Sequence, residues 1–196
     1  MCVNSTTFHI LDRYLQANMN PISNLIDRIN YENLWDKEIN LERNEYLKVK
    51  GSIDTNIYLV KSGSLRIFVL DKYEEHTIRF GYKNNLIASL DSFLNEKPSD
   101  FYIQALKKTT VKVIKKENYL SFIESSTENK KIWYKVLESF ILQQMERERD
   151  ILTSSPIERY HRVLKRSPQL FQEIPNKYIA SYLRMTPETL SRIKKS

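Results

Sequence analysis

The sequence predicts an α+β protein: an N-terminal jelly-roll β domain with flanking helices, one long helix, and a small all-α unit at the C-terminus. Three observations carry this. From Trp35 to Ile114 apolar residues recur with period two in short runs, as where Leu65, Ile67 and Val69 alternate with Arg66, Phe68 and Leu70. From Asn129 to Thr153 there is no Pro or Gly, and Trp133, Val136, Leu137, Phe140, Ile141, Gln144, Met145, Ile151 and Leu152 recur at three- and four-residue steps, the pattern of a long amphipathic helix. Residues 174–195 read as two short helices joined by a tight turn, a helix-turn-helix. The implied division is 1–127 for the β domain with its helices, 128–153 for the long helix and 154–196 for the C-terminal unit.

Taken in order, Phe8, Ile10, Leu11, Tyr14 and Leu15, then Ile22, Leu25, Ile26 and Ile29, predict one or two packed helices, the second starting at Pro21. Strands are expected around Ile39 and Leu41, at Tyr46, over 57–61, 64–70, 76–80, 101–105 and 109–114. Ser62-Gly63 reads as a two-residue hairpin turn in which Gly supplies a positive φ, and a second hairpin bends near residues 71–74. Short strands with little helix between them point to a jelly roll or sandwich. Glu117–Ile123 predicts a short helix. The apolar seam of the long helix is wide enough for one edge to pack on the β domain while Trp133, Val136, Leu137, Phe140, Ile141, Gln144 and Met145 meet the same helix of a second chain; a single buried core helix is the alternative. Ser154-Ser155-Pro156 makes a hinge, residues 157–165 a further helix, and Ser167-Pro168 its end.

In the C-terminal pair, Ile179, Ala180 and Leu183 share one face of the first helix, and small Ala180 permits a close crossing. Thr186 caps the second helix with Pro187 at its first position. Leu190 and Ile193 face inward, leaving Glu188, Thr189, Ser191, Arg192 and Lys195 outside. Those chemistries suit the major groove: Arg forks onto guanine, Glu accepts from cytosine, and Ser or Thr adapts to either. An ordinary helical hairpin has the same pattern, so the segment alone does not decide.

The chain of 196 residues carries a formal net charge of +7, which favours polyanionic partners. The surplus grows toward the C-terminus, where Arg147, Arg149, Arg159, Arg162, Lys165, Arg166, Lys177, Arg184, Arg192, Lys194 and Lys195 outnumber the acids. Cys2, the only cysteine, excludes an internal disulfide and a cysteine-ligated cluster, and His9, His76 and His161 are too scattered for a metal site. No cofactor and no metal are expected. No stretch approaches the ~20 apolar residues of a membrane span and no signal peptide is recognisable, so a cytoplasmic protein without membrane partners is expected. There is no Gly-rich phosphate loop and no nucleophile beside a base, which argues against an enzyme.

This order of elements resembles the Crp/Fnr family of bacterial transcription regulators. The most specific parts are Ile57-Tyr58-Leu59-Val60-Lys61-Ser62-Gly63-Ser64-Leu65-Arg66, which looks like the family's central hairpin, and Ile179–Leu183 followed by Thr186–Arg192, which looks like its DNA-binding helices. The resemblance implies a cyclic-nucleotide-binding-like β-roll and a homodimer on a palindromic site in double-stranded DNA, with half-sites about 34–36 Å apart or a multiple of that. It implies base reading by Glu188, Thr189, Ser191 and Arg192. Lys177, Tyr178, Ser181, Arg184, Thr186, Lys194 and Lys195 are the expected phosphate contacts.

The chain departs from the family at three places. Pro187 stands where some relatives have a polar or basic side chain. Ala88-Ser89 and Ser99-Asp100 stand where cyclic-nucleotide binders have Gly-Glu and Arg-Ser or Arg-Thr, so a phosphate there would meet Asp100 and cyclic AMP is not expected to bind in the usual way. Arg79 and Lys97, beside Ala88, Ser89, Ser99 and Asp100, are the residues left to form an anion pocket for an unknown small effector; ordinary solvent-facing charges without an effector are the alternative. The chain stops soon after Arg192, without the family's β-hairpin wing. Fewer neutralised phosphates are therefore expected, and each one fewer makes the salt slope shallower by about 0.9. The rival reading is a ligand-sensing or scaffold dimer that no longer binds DNA.

Overall fold

The computed structural model describes residues 20–195; the helix expected around Phe8–Leu15 lies outside them. Helix α1 (Pro21–Tyr31) starts as the sequence predicts, with Pro21 in its first turn and the Asn20 side chain accepting from the Ile22 N–H at 3.0 Å. Its Leu25, Ile26 and Ile29 are buried. Eight strands follow: β1 (Lys37–Leu41), β2 (Tyr46–Lys48), β3 (Ile57–Ser62), β4 (Ser64–Asp71), β5 (Glu74–Tyr82), β6 (Leu86–Ala88), β7 (Tyr102–Ala105) and β8 (Thr109–Ile114). The short helix α2 (Leu90–Asn95) stands between β6 and β7. Two antiparallel four-stranded sheets result, ordered β1-β8-β3-β6 and β2-β7-β4-β5. Tyr58, Val60, Leu65, Ile67, Ile103, Val111 and Val113 fill the space between them.

The expected hairpin at Ser62-Gly63 does not form. β3 bonds to β6 and β8 in one sheet, β4 to β5 and β7 in the other, so Gly63 is the corner where the chain changes sheets. Its φ of +85° agrees with the expectation, but the partner strands do not. The second expected hairpin does form: β4 and β5 pair from Ser64↔Tyr82 to Asp71↔Glu74, turning through Lys72-Tyr73.

Helices α3 (Lys116–Glu124) and α4 (Thr127–Leu152) continue the chain, α4 capped by the Ser126 hydroxyl accepting from the Asn129 N–H at 3.1 Å. Ile132 and Val136 of α4 enter a second core with Leu25, Ile29, Phe93, Tyr119 and Phe122. Then come α5 (Pro156–Arg166), the single turn α6 (Leu170–Glu173), α7 (Asn176–Tyr182) and α8 (Pro187–Ile193). Their third core of Tyr160, Val163, Leu170, Ile179, Ala180, Leu183 and Leu190 also takes in Phe80 of β5 and Leu106, so the C-terminal helices are seated on the β-roll. Among the described residues no helix is long and apolar enough to cross a membrane.

Candidate nucleic-acid interface and effector region

Helices α7 and α8 meet through fully buried Ile179, Ala180, Leu183 and Leu190. Between them the chain turns at Arg184, which has φ +54°, and the Met185 N–H bonds back to the Ala180 carbonyl at 3.0 Å. Thr186 caps α8 as the sequence predicts, accepting from the Thr189 N–H at 3.2 Å. Glu188, Ser191, Arg192 and Lys195 are exposed along its outer side and Thr189 is half-buried. The Glu188 carboxyl is held below its usual range by the backbone N–H and the Thr186 hydroxyl at the helix start, so it stays an acceptor.

Of the expected phosphate contacts, exposed Thr186 is the cap of α8, and the other six separate into two groups. Lys177, Arg184, Lys194 and Lys195 are exposed, and Lys194 reaches the Asn176 side-chain oxygen at 3.0 Å, beside the start of α7. Tyr178 and Ser181 instead face the roll. The Ser181 hydroxyl accepts from the Thr77 N–H at 3.3 Å and donates to the Glu75 carbonyl at 3.2 Å. The Tyr178 ring lies 4.6 Å from the Arg66 guanidinium, which also stacks on Phe68 at 4.0 Å, bonds Gln104 at 2.7 and 3.0 Å and pairs with Glu75 at 2.6 Å. This docking buries Arg66 and Phe68 on the face of β4 opposite the core residues Leu65 and Ile67.

Several arginines of the basic C-terminal surplus are spent inside. Arg159 donates to the hinge carbonyls of Thr153 and Ser154 at 2.6 and 3.0 Å and to the turn carbonyls of Leu183 and Arg184 at 2.8 and 3.1 Å. Arg147 donates to the Tyr182 carbonyl at 2.6 Å and lies 3.7 Å over that ring. Arg162 and Arg166 both grip fully buried Asp150. The signal is present in the sequence: 159, 162 and 166 share one face of α5, opposite Glu146 and Asp150 one turn apart on α4.

On α4 the residues expected to meet a second chain also divide. Val136 is fully buried in its own core, and Trp133, half-buried, meets Tyr119 edge-on at 5.3 Å. Leu137 and Phe140 are half-buried and Gln144 is exposed. Ile141 and Met145, with Leu142, are about 60% exposed.

The six residues expected to form an effector pocket do not converge. Ser89 and Ser99 are buried, whereas Lys97 is exposed and Asp100 pairs with Lys50 at 3.1 Å on the surface. The carboxylate that fills the loop is Asp91: the Ser89 hydroxyl donates to it at 2.9 Å, and Ser99 and the Ser92 N–H hold it as well. Burial works against that charge, but these bonds and nearby Lys48 keep its carboxyl below the usual range. A carboxyl depressed in the fold stabilises above its unfolded value, and that stability is lost as pH falls through the folded one. Arg79 and Ala88 line a crevice against α4.

Residues 38–126 match the family model of the cyclic nucleotide-binding domain. No curated protein matches the chain. Among solved structures it is similar to FixK2 from Bradyrhizobium japonicum, at 16% identity and TM-score 0.66 over 81% of this chain and 82% of that one. It is also similar to the Catabolite Activator Protein of Thermus thermophilus, at 20% identity and TM-score 0.54 over 90% and 85%. A third is CLP of Xanthomonas campestris, a global regulator responsive to c-di-GMP, at 13% identity and TM-score 0.61 over 88% and 90%. The chain therefore has the fold shared by Crp/Fnr-type regulators, and its β-roll region is similar to the cyclic nucleotide-binding domain.

Proposed function

We propose that this protein is a sequence-specific DNA-binding transcription regulator of the Crp/Fnr type, that it acts as a homodimer in the cytoplasm, and that it does not respond to cyclic AMP. The observation that carries the reading is α8: a Thr186-capped helix whose Leu190 is buried while Glu188, Ser191 and Arg192 project outward. Arg184, Lys177, Lys194 and Lys195 surround it with exposed positive charge for phosphates. The second chain meets the stripe of Leu137, Ile141, Met145 and neighbouring exposed Leu142 on α4, an apolar strip at heptad-like steps.

Selection of tight-binding duplexes from a random pool tests the reading. The protein should enrich a two-fold symmetric motif, and Arg192→Ala should relax one base position by about 1–3 kcal/mol, the worth of a bidentate Arg–guanine pair. A pool without any enriched motif at low salt would sink it.

A different observation favours the rival, a sensing or scaffold dimer that leaves DNA alone. Tyr178 and Ser181, placed on the helix that should lie across the phosphates, are bound to β4 and β5 of the roll instead.

Cyclic AMP fails to fit because the loop that would hold its phosphate holds Asp91. Two like charges in one loop repel. Titration calorimetry with cyclic AMP should give no binding heat, and a saturable isotherm would refute this part of the reading.

A further inference from the structure

A cleft of about 420 Å³ opens where β5, the N-terminus of α1, the middle of α4 and the C-terminal helices meet. Its polar lining includes Arg79, Arg147 and Arg166 together with the amides of Asn84, Asn85 and Gln143, and among the described residues no Asp or Glu lines it. Three guanidiniums without a carboxylate among them is unusual, since charges drawn out of water are normally paired. Arg166 is satisfied from outside the cleft by Asp150. Arg147 has a backbone carbonyl and a ring but, among the described residues, no ion pair.

Arg79 has less. Among the described residues its guanidinium makes no ion pair and no hydrogen bond, and the Phe140 ring lies 5.7 Å from it. Burial pushes its guanidinium pKa down, and only nearby Tyr182 works the other way. An adjoining apolar crevice of about 50 Å³ shares Arg79, Leu86, Ile87 and Phe140 with the cleft. Tyr119, which lines that crevice, is fully buried with its hydroxyl unpaired among the described residues.

We infer that this cleft is a binding site for a small organic oxyanion, its charged group seated between Arg79 and Arg147 and its polar body against the Asn84, Asn85 and Gln143 amides. The volume suits a ligand of sugar-phosphate or nucleotide size, and planar guanidiniums present the paired donors that phosphate and carboxylate oxygens accept. The site lies apart from the loop closed by Asp91. It stands whether or not the chain binds DNA.

The test is thermal unfolding of the full chain with inorganic pyrophosphate, with citrate, and with sodium chloride at matched ionic strength. A site of this kind raises Tm by about 3 °C or more over the chloride control at concentrations tenfold above Kd. The stronger of the two probes separates a phosphate ligand from a carboxylate one. Arg79→Gln should abolish the shift while raising Tm in the absence of anion, because an unpaired charge is removed. Gln143→Glu, at an exposed position whose side chain bonds Ser139 on its own helix, should do the same by supplying the missing carboxylate, and it decides the matter should Arg79→Gln not fold. No shift with either probe overturns the proposal. So does a shift that survives undiminished in the variants, which would trace it to the basic surface of α7 and α8.

Discussion

Asp150→Ala is expected to cost about 3–5 kcal/mol, the loss found when one partner of a buried ion pair is removed and the other is left uncompensated. Asp150 has no exposed surface, and its two oxygens take Arg162 Nε at 3.0 Å, Arg166 Nη1 at 3.3 Å and Arg166 Nη2. Glu146 one turn earlier adds Arg162 at 2.9 Å, but it is 43% exposed and cannot replace a buried charge. Both arginines come from α5, so the pair sets how that helix leaves α4 across the hinge at Thr153–Ser155. Removing Asp150 leaves two guanidiniums side by side on one face of α5, near Arg147, with only half-exposed Glu146 to share. For a chain of this length the Tm should fall by roughly 10 °C. Asp150→Asn keeps an acceptor and loses less. Amide exchange should quicken in α5 and not in β8, because the damage is local to the hinge. A stability loss under about 1 kcal/mol would show that water repairs the site and that the clamp does not hold the hinge.

That clamp also marks where sequence reading stops. Periodicity reports which face of an element is apolar, and it locates β8 at Thr109–Ile114, the span of α4 to within two residues, and the Thr186-Pro187 start of α8. The shared fold is legible for the same reason. What periodicity does not report is the identity of the neighbour. Alternation in β3 and β4 is equally consistent with a hairpin and with strands in separate sheets, so the corner at Gly63 reads as a turn. A charge count treats every arginine as surface, whereas Arg147 and Arg159 are each 8% exposed and bonded to carbonyls at the end of α7. The six residues of α2 are too few to show a helical period, and so Asp91, at its start, reads as part of a loop. The one misplaced anion is Asp100: local sequence puts a negative charge in the loop correctly and selects the wrong carboxylate.

Gly63 turns the difference between a hairpin and a corner into a measurement. At φ +85° any L-residue is strained, by about 1–2 kcal/mol, with Asn the one that adopts such a conformation most readily. In a solvent-facing hairpin turn Gly63→Asn would therefore be better tolerated than Gly63→Ala. The corner predicts the reverse order. A Cβ at this position would sit 2.3 Å from Thr109 Oγ1, 2.4 Å from the Lys108 carbonyl and 2.5 Å from Thr109 Cα, and two of those atoms are backbone that cannot swing aside. Thr109 Oγ1 already accepts from the Ser64 N–H at 3.1 Å and donates to a carbonyl, at 2.7 Å from Lys107 and 3.2 Å from Ser64, so pushing it away breaks the stitch between the two sheets. Overpacking adds about 1–3 kcal/mol to the strain, which puts Gly63→Ala near 2–5 kcal/mol in total. Gly63→Asn, with more atoms to place, should be worse still. Gly51 is the control: its φ is +82°, but a Cβ there meets nothing within 4 Å, so Gly51→Asn feels only the backbone strain and should cost no more than about 1–2 kcal/mol. If Gly63→Asn proves milder than Gly63→Ala in denaturant unfolding, the close approach of Thr109 is wrong and β3 and β4 are joined by an open turn.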